Sequence, residues 1–149
     1  MAASLSAGDD LTRVPYDDAL ERQIVAWCLR SPEAMTWAAN NLAPEDFYRE
    51  VHQVLFREMV VFLRDEPEGV NVSTLAVHLH GKTRCWGQER TDLLDYCGGI
   101  EYLSALVHQW ASLTDLRGAQ FVRSLGARLR DLARIRKLRT GALEVLDQI

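Results

Sequence analysis

Three features of this sequence predict an all-α domain. Apolar residues recur at three- and four-residue spacings in several stretches, the period that gathers side chains on one helical face. Helix-starting residues stand before those stretches, as Ser31-Pro32, Pro44-Glu45-Asp46 and Asn71 do,. No run shows the alternation of a half-buried strand, and no repeat appears at ~20 to 50 residue spacing. The expected organisation is a flexible arm at 1–13, a multi-helix head at 14–113 and a long C-terminal helix at 114–149 that serves oligomerisation.

Met1 to Arg13 is small and polar and ends at Val14-Pro15, where proline disfavours helix just before it,. A first helix is predicted from Tyr16 to Leu29, with Leu20, Ile24, Trp27 and Cys28 as its stripe and Asp17, Asp18 and Glu21 near its N-terminus,. Ser31 caps a second, short helix with Pro32 at its first position,. Pro44 to Leu63 then reads as one buried helix, the centre on which the rest packs. Phe47, Val51, Val54, Leu55, Met59, Phe62 and Leu63 form its face, and Pro67 and Gly69 stop it,.

Asn71, Ser73 and Thr74 offer caps for a helix through Leu79, which closes at His80-Gly81,. Lys82 to Glu89 is polar and irregular, and Leu93 to Tyr96 suits a turn or two of helix. Gly98-Gly99 marks a sharp turn before an amphipathic helix carrying Ile100, Tyr102, Leu103, Leu106, Val107 and Trp110,. After a loop at Ala111 to Asp115, a long stripe begins at Phe121 and Val122. It continues through Leu125, Leu129, Leu132, Ile135, Leu138, Ala142, Val145 and Leu146 to Ile149. Gly118, Gly126 and Gly141 each weaken that helix by about 1 kcal/mol relative to alanine. A helix so long and so punctured needs a partner for its stripe.

The 149 residues suit one domain, which at that size buries roughly 70% of its unfolded surface. With 48% of residues apolar, disorder throughout is excluded,. The net charge of −4 divides unevenly: from Leu116 onward the chain carries +5, and before it −9. An acidic body with a basic tail points to an anionic partner for the tail. Three cysteines, Cys28, Cys85 and Cys97, without a secretory signal argue against a disulfide framework and for a cytoplasmic setting,. No run approaches the ~18 apolar residues of a membrane span.

Sites for chemistry are few. Gly81-Lys82-Thr83 ends like a P-loop, but the glycine required five residues earlier is Ala76, and a helix rather than a strand precedes it,. His78, His80, Cys85 and Cys97 lack metal-ligand spacing, so no metal and no cofactor are expected,. His52 with Asp46, Glu50 and Glu58 reads as a solvated charged face, so no catalytic residue is assigned. The arginines from Arg123 to Arg139 could neutralise phosphates. Without interleaved aromatics, they read better as flanks of an oligomer seam with their stems packed on it.

Five short stretches, in order, resemble the N-terminal domain of DnaB-type replicative helicases. They are Glu21 with Ile24; Pro44-Glu45-Asp46-Phe47-Tyr48 followed by His52 and Leu55-Phe56; Thr74-Leu75-Ala76 with Leu79; Gly98-Gly99-Ile100-Glu101-Tyr102-Leu103; and the final helix around Leu129, Arg130, Ala133 and Arg136. The resemblance spans about residues 16 to 146. It implies a helical head followed by a hairpin of long helices, of which the last helix here is the first arm. It also implies pairing with a second copy, dimers assembling three to a collar, and docking of the C-terminal domain of a DnaG-type primase or of a helicase loader.

On that resemblance, Tyr102, Arg130, Arg134 and Lys137 are expected to meet the partner. Leu125, Leu129, Leu132, Ile135, Leu138 and Ala142 are expected to form the oligomer interface, and Ile24, Phe47, Leu55, Phe56 and Leu103 the core. DNA contact is expected to be indirect, and the domain to have no ATPase or unwinding chemistry of its own. Cys85 to Thr91 looks inserted relative to the family, and the loop after Leu106 is longer than usual. The family also continues beyond the position of Ile149 into a second hairpin helix, a linker and a P-loop motor. The other reading is a stand-alone regulatory, loader-like or DNA-binding protein that uses the basic last helix.

Overall fold

The computed structural model describes residues 14–66, 70–86, 89–110 and 118–148, with backbone alone at 84–86, 89–90, 110 and 118–119. The arm expected at 1–13 and the loop expected at 111–115 lie outside the described residues.

Helix α1 spans Asp18–Arg30 and α2 spans Pro32–Asn41. Their starts follow from the cap residues: Asp17 accepts from the Leu20 amide and Ser31 from the Ala34 amide, which satisfies donors that a helix start leaves free,. A 3₁₀ turn at Pro44–Asp46 precedes α3, Glu50–Asp65. Helix α4, Val72–Leu79, starts in a reciprocal pair of bonds between Asn71 and Thr74,. Strands β1, Thr83–Trp86, and β2, Glu89–Asp92, lead into the short α5, Leu93–Tyr96. Helix α6, Gly99–Trp110, and α7, Gly118–Asp147, complete the described elements.

The core lies where α1 is enclosed. Helices α2, α6 and α7 pack against it, and α3 closes another side. Ile24, Val25 and Cys28 of α1 are fully buried there, as are Phe47, Leu55, Phe56 and Leu103. Burial pushes the Cys28 thiol up to about 12, because a thiolate has no solvation there.

Two expectations need correction. Pro44 to Leu63 is not one helix: Phe47 to Arg49 form a non-helical bend between the 3₁₀ turn and α3. The amides of Tyr48 and Arg49 donate to the carboxylate of Glu21, a partner on another helix that local periodicity cannot reveal. The expected absence of strands also fails, since β1 and β2 form an antiparallel hairpin with Thr83 opposite Asp92 and Trp86 opposite Glu89. Their residues, Thr83-Arg84-Cys85-Trp86 and Glu89-Arg90-Thr91-Asp92, do not alternate apolar with polar, so the strand signal is missing,. Asp92 clasps the base of the hairpin, accepting from the Gly81 amide and from the Leu94 amide that starts α5.

Helix α7 is continuous over 30 residues, about 45 Å long, and Gly126 is part of how it docks. A Cβ at Gly126 would lie 2.7 Å from the Trp37 ring, so glycine is what lets that ring lie on the helix backbone. The lost helix propensity is exchanged for close packing of α2 on α7.

Candidate protein interface

Glu21 on α1, His52 on α3 and Tyr102 on α6 meet in one hydrogen-bonded node. Glu21 and His52 have no solvent exposure. His52 Nδ1 lies 2.8 Å from Glu21 Oε1, and Nε2 lies 3.0 Å from the Tyr102 hydroxyl. The Glu21 carboxylate also accepts from the Tyr48 amide at 2.7 Å and the Arg49 amide at 3.3 Å. One placement of protons satisfies every atom: Nδ1 donates to Glu21, and Nε2 accepts from Tyr102. A buried carboxylate needs such a set of donors. The reading of His52 as part of a solvated face is therefore corrected.

The paired glycines explain how Tyr102 gets there. Gly98 and Gly99 have φ of +99° and +78°, a region that favours glycine. A Cβ on Gly98 would also sit 2.8 Å from Tyr102 Cβ. Burial raises the Tyr102 hydroxyl above its ordinary 10.0, and the cations of Arg22 and Arg49 offset only part of that. Outside the node, Arg22 lies over the Tyr102 ring at 5.6 Å. Arg22 and Arg49 both bind Asp18, at 2.7 and 2.9 Å. Burial raises Asp18, but those two hydrogen bonds outweigh it and hold its carboxyl below the ordinary range.

The node has the residue types of acid–base chemistry but connects three helices, with each polar atom already engaged. The other sequence candidates are engaged as well. Lys82 binds Glu58 at 2.7 Å, and Gly81 ends α4 with a φ of +88°. His78 meets the same Glu58 at 3.2 Å, while exposed His80 lies 3.6 Å from Asp92. Among the described residues no group of three or more His, Cys, Asp and Glu could hold a metal ion, and no helix is long and apolar enough to cross a membrane.

Helix α7 divides the expected oligomer residues between two faces. Val122, Gly126, Leu129 and Ala133 are buried against the head, and Leu125 and Leu132 are half-buried beside them. Arg136 clamps the same face, donating to the backbone oxygens of Pro15 at 3.0 Å and Asp46 at 2.6 Å, with its guanidinium over the Tyr48 ring. Ile135, Leu138 and Ala142 are exposed. Leu138 follows Leu129 by nine residues, about two and a half turns, so the two point to opposite sides. Leu129 as a seam residue is thus corrected: it belongs to the chain's own core.

Of the expected partner residues, Tyr102 turns its hydroxyl inward and is half-buried. Arg130, Arg134 and Lys137 are exposed together on α7, where with Asn40, Asn41 and Asp46 they line a depression of about 380 Å³. They and Tyr102 are not in one cluster. Sequence reading missed Glu21 and His52 as partners and Arg136 as a clamp. The only signal was that acidic, histidine and tyrosine positions accompanied the same apolar motifs.

The family model of the DnaB-like helicase N terminal domain matches residues 13–121. Replicative DNA helicase DnaC of Bacillus subtilis is 33% identical over 94 residues, 63% of this chain and 18% of that protein. Replicative DNA helicase DnaB of Geobacillus stearothermophilus is 30% identical over 92 residues, 62% of this chain and again 18% of the relative. The matched stretch thus spans under a fifth of the curated relatives' length. The crystal structure of the N-terminal domain of DnaB helicase from Mycobacterium tuberculosis superposes with a TM-score of 0.68 at 25% identity, covering 91% of this chain and 85% of that one. The motifs that converge on the Glu21–His52–Tyr102 node lie within the matched region, and this chain belongs to the DnaB-like helicase N-terminal domain family.

Proposed function

We propose that the chain is a non-catalytic association domain of a cytoplasmic replicative helicase: it pairs with a second copy through the outer half of α7 and docks a replication partner, such as primase or a loader, on its surface. The observation that carries this reading is the stripe of Ile135, Leu138, Ala142, Val145 and Leu146. All five are exposed, Leu138 at 74%, and they lie on the side of α7 away from the head. Their spacing of mostly three and four suits a seam between two helices. An apolar stripe of that length in water favours self-association.

Sedimentation of the full chain tests it. Dimers, or dimers assembling further, are expected at ~100 µM, in the range of specific interfaces. Leu138→Asp is expected to return the chain to monomers without changing its far-UV circular dichroism. A parent chain that stays monomeric at that concentration refutes the pairing.

A further inference from the structure

A second unpartnered surface lies on the head. Arg57, Val60, Val61 and Arg64 of α3 line one side of a groove of about 340 Å³, and Ala39, Leu42, Ala43 and Pro44 line the other. The fully buried Phe56 stands at its base. The Leu42-Ala43 segment also lines the depression that holds Arg130, Arg134 and Lys137, so the two concavities share a wall. Among the described residues Arg57, Arg64, Arg130 and Lys137 make no ion pair, and Arg134 reaches only the exposed Asp131 at 3.6 Å. In a chain of net charge −4, Arg57 and Arg64 line an apolar groove that has no acidic residue in its wall, and the neighbouring depression holds three cations to one carboxylate, Asp46.

We propose that this face receives an acidic amphipathic helix of another protein. Apolar anchors enter the groove over Val60 and Val61, and carboxylates meet Arg57 and Arg64 on the rim and the α7 cations alongside. This rests on the partner-docking reading above and names the partner's chemistry. Arg57 and Arg64 stand seven residues apart on α3, about 10 Å, which matches carboxylates two turns apart on a docked helix. Nucleic acid fits this face less well. Its backbone would leave the apolar groove empty, and the groove offers no exposed aromatic ring for a base to stack on,.

The test is a titration of the ¹⁵N-labelled full chain, followed by amide shifts. The probe is a synthetic amphipathic helix of about four turns with leucine on one face and glutamate on its flanks. A lysine-for-glutamate version and a single-stranded oligothymidylate serve as comparisons. Expected are shifts at Ala39 to Ala43, Arg57 to Arg64 and Arg130 to Lys137 with the glutamate probe. Arg57→Glu/Arg64→Glu is expected to weaken that probe at least about tenfold and to gain affinity for the lysine probe. If the double reversal does not fold, Arg57→Gln/Arg64→Gln is expected to show the same weakening of the glutamate probe.

No shift at ~1 mM probe, shifts elsewhere, an equal response to the lysine probe, or a response to the oligonucleotide in place of the peptide would each overturn the proposal. Sedimentation of the same variants separates the two readings. If dimers persist while the peptide fails, the pairing stands and only the docking chemistry falls.

Discussion

The inner and outer halves of α7 carry apolar residues at similar spacing, yet Leu129 has no solvent exposure and Leu138 is 74% exposed. The inner half lies on α1 and α2 and is closed by the Arg136 clamp. The outer half, beyond about Lys137, projects past the head with Leu143, Val145 and Leu146 exposed. The same periodicity thus serves two ends: an intrachain core in one half, and a surface without a partner in the other. The difference comes from small side chains as much as large ones. Gly126 and Ala133 let the inner half approach closely, whereas a Cβ on Gly141 would meet nothing within 4 Å.

Substitutions that break one half and spare the other test this contrast. Leu129→Asp carries the largest expected effect, because an unpaired carboxylate in a dry core costs several kcal/mol. The domain should lose its cooperative melting transition altogether, whereas loss of dimers with the fold intact would return Leu129 to the seam. Gly126→Ala comes next. Helix propensity alone would favour alanine by about 1 kcal/mol, but displacing the Trp37 ring should cost about 1–3 kcal/mol, so a lower denaturation midpoint is expected. A stabilised variant would show that Trp37 moves freely.

Tyr102→Phe calibrates the head beneath the inner half and should cost about 1 kcal/mol, the net worth of one hydrogen bond. It also has a pH signature. With the folded hydroxyl raised above 10.0 by burial, its contribution is fully present below that value and is lost as pH rises through the higher folded one. The parent should therefore weaken at alkaline pH more steeply than the variant, and parallel curves would contradict the burial argument. Leu138→Asp should move monomer stability least, within ~0.5 kcal/mol, while changing the sedimentation of concentrated samples most.

How much could be read from the residues differs between these regions. The starts of α2 and α4 were legible because Ser31 and Asn71 cap within three residues of themselves, whereas Asp17, placed inside the first helix by its charge, is the cap of α1. The break at Phe47 to Arg49 was not legible, since it depends on Glu21, 27 residues away from Tyr48 in sequence. His52 was misread for the same reason: its neighbours in the chain are charged, but its neighbours in space are Glu21 and Tyr102. Gly126 was counted as a defect because propensity describes a helix alone, without the Trp37 ring lying on it.

By itself the sequence determined an all-α chain, most of its helix caps, the glycine turn before α6 and the family signature, all of which rest on local spacing and backbone preference. Tertiary structure alone decided which half of α7 is core, where the buried carboxylate finds its donors, and which cations line the groove beside α3. Those outcomes depend on residues that are distant in sequence and share one small volume, where burial and hydrogen-bond geometry, rather than periodicity, set the free energy.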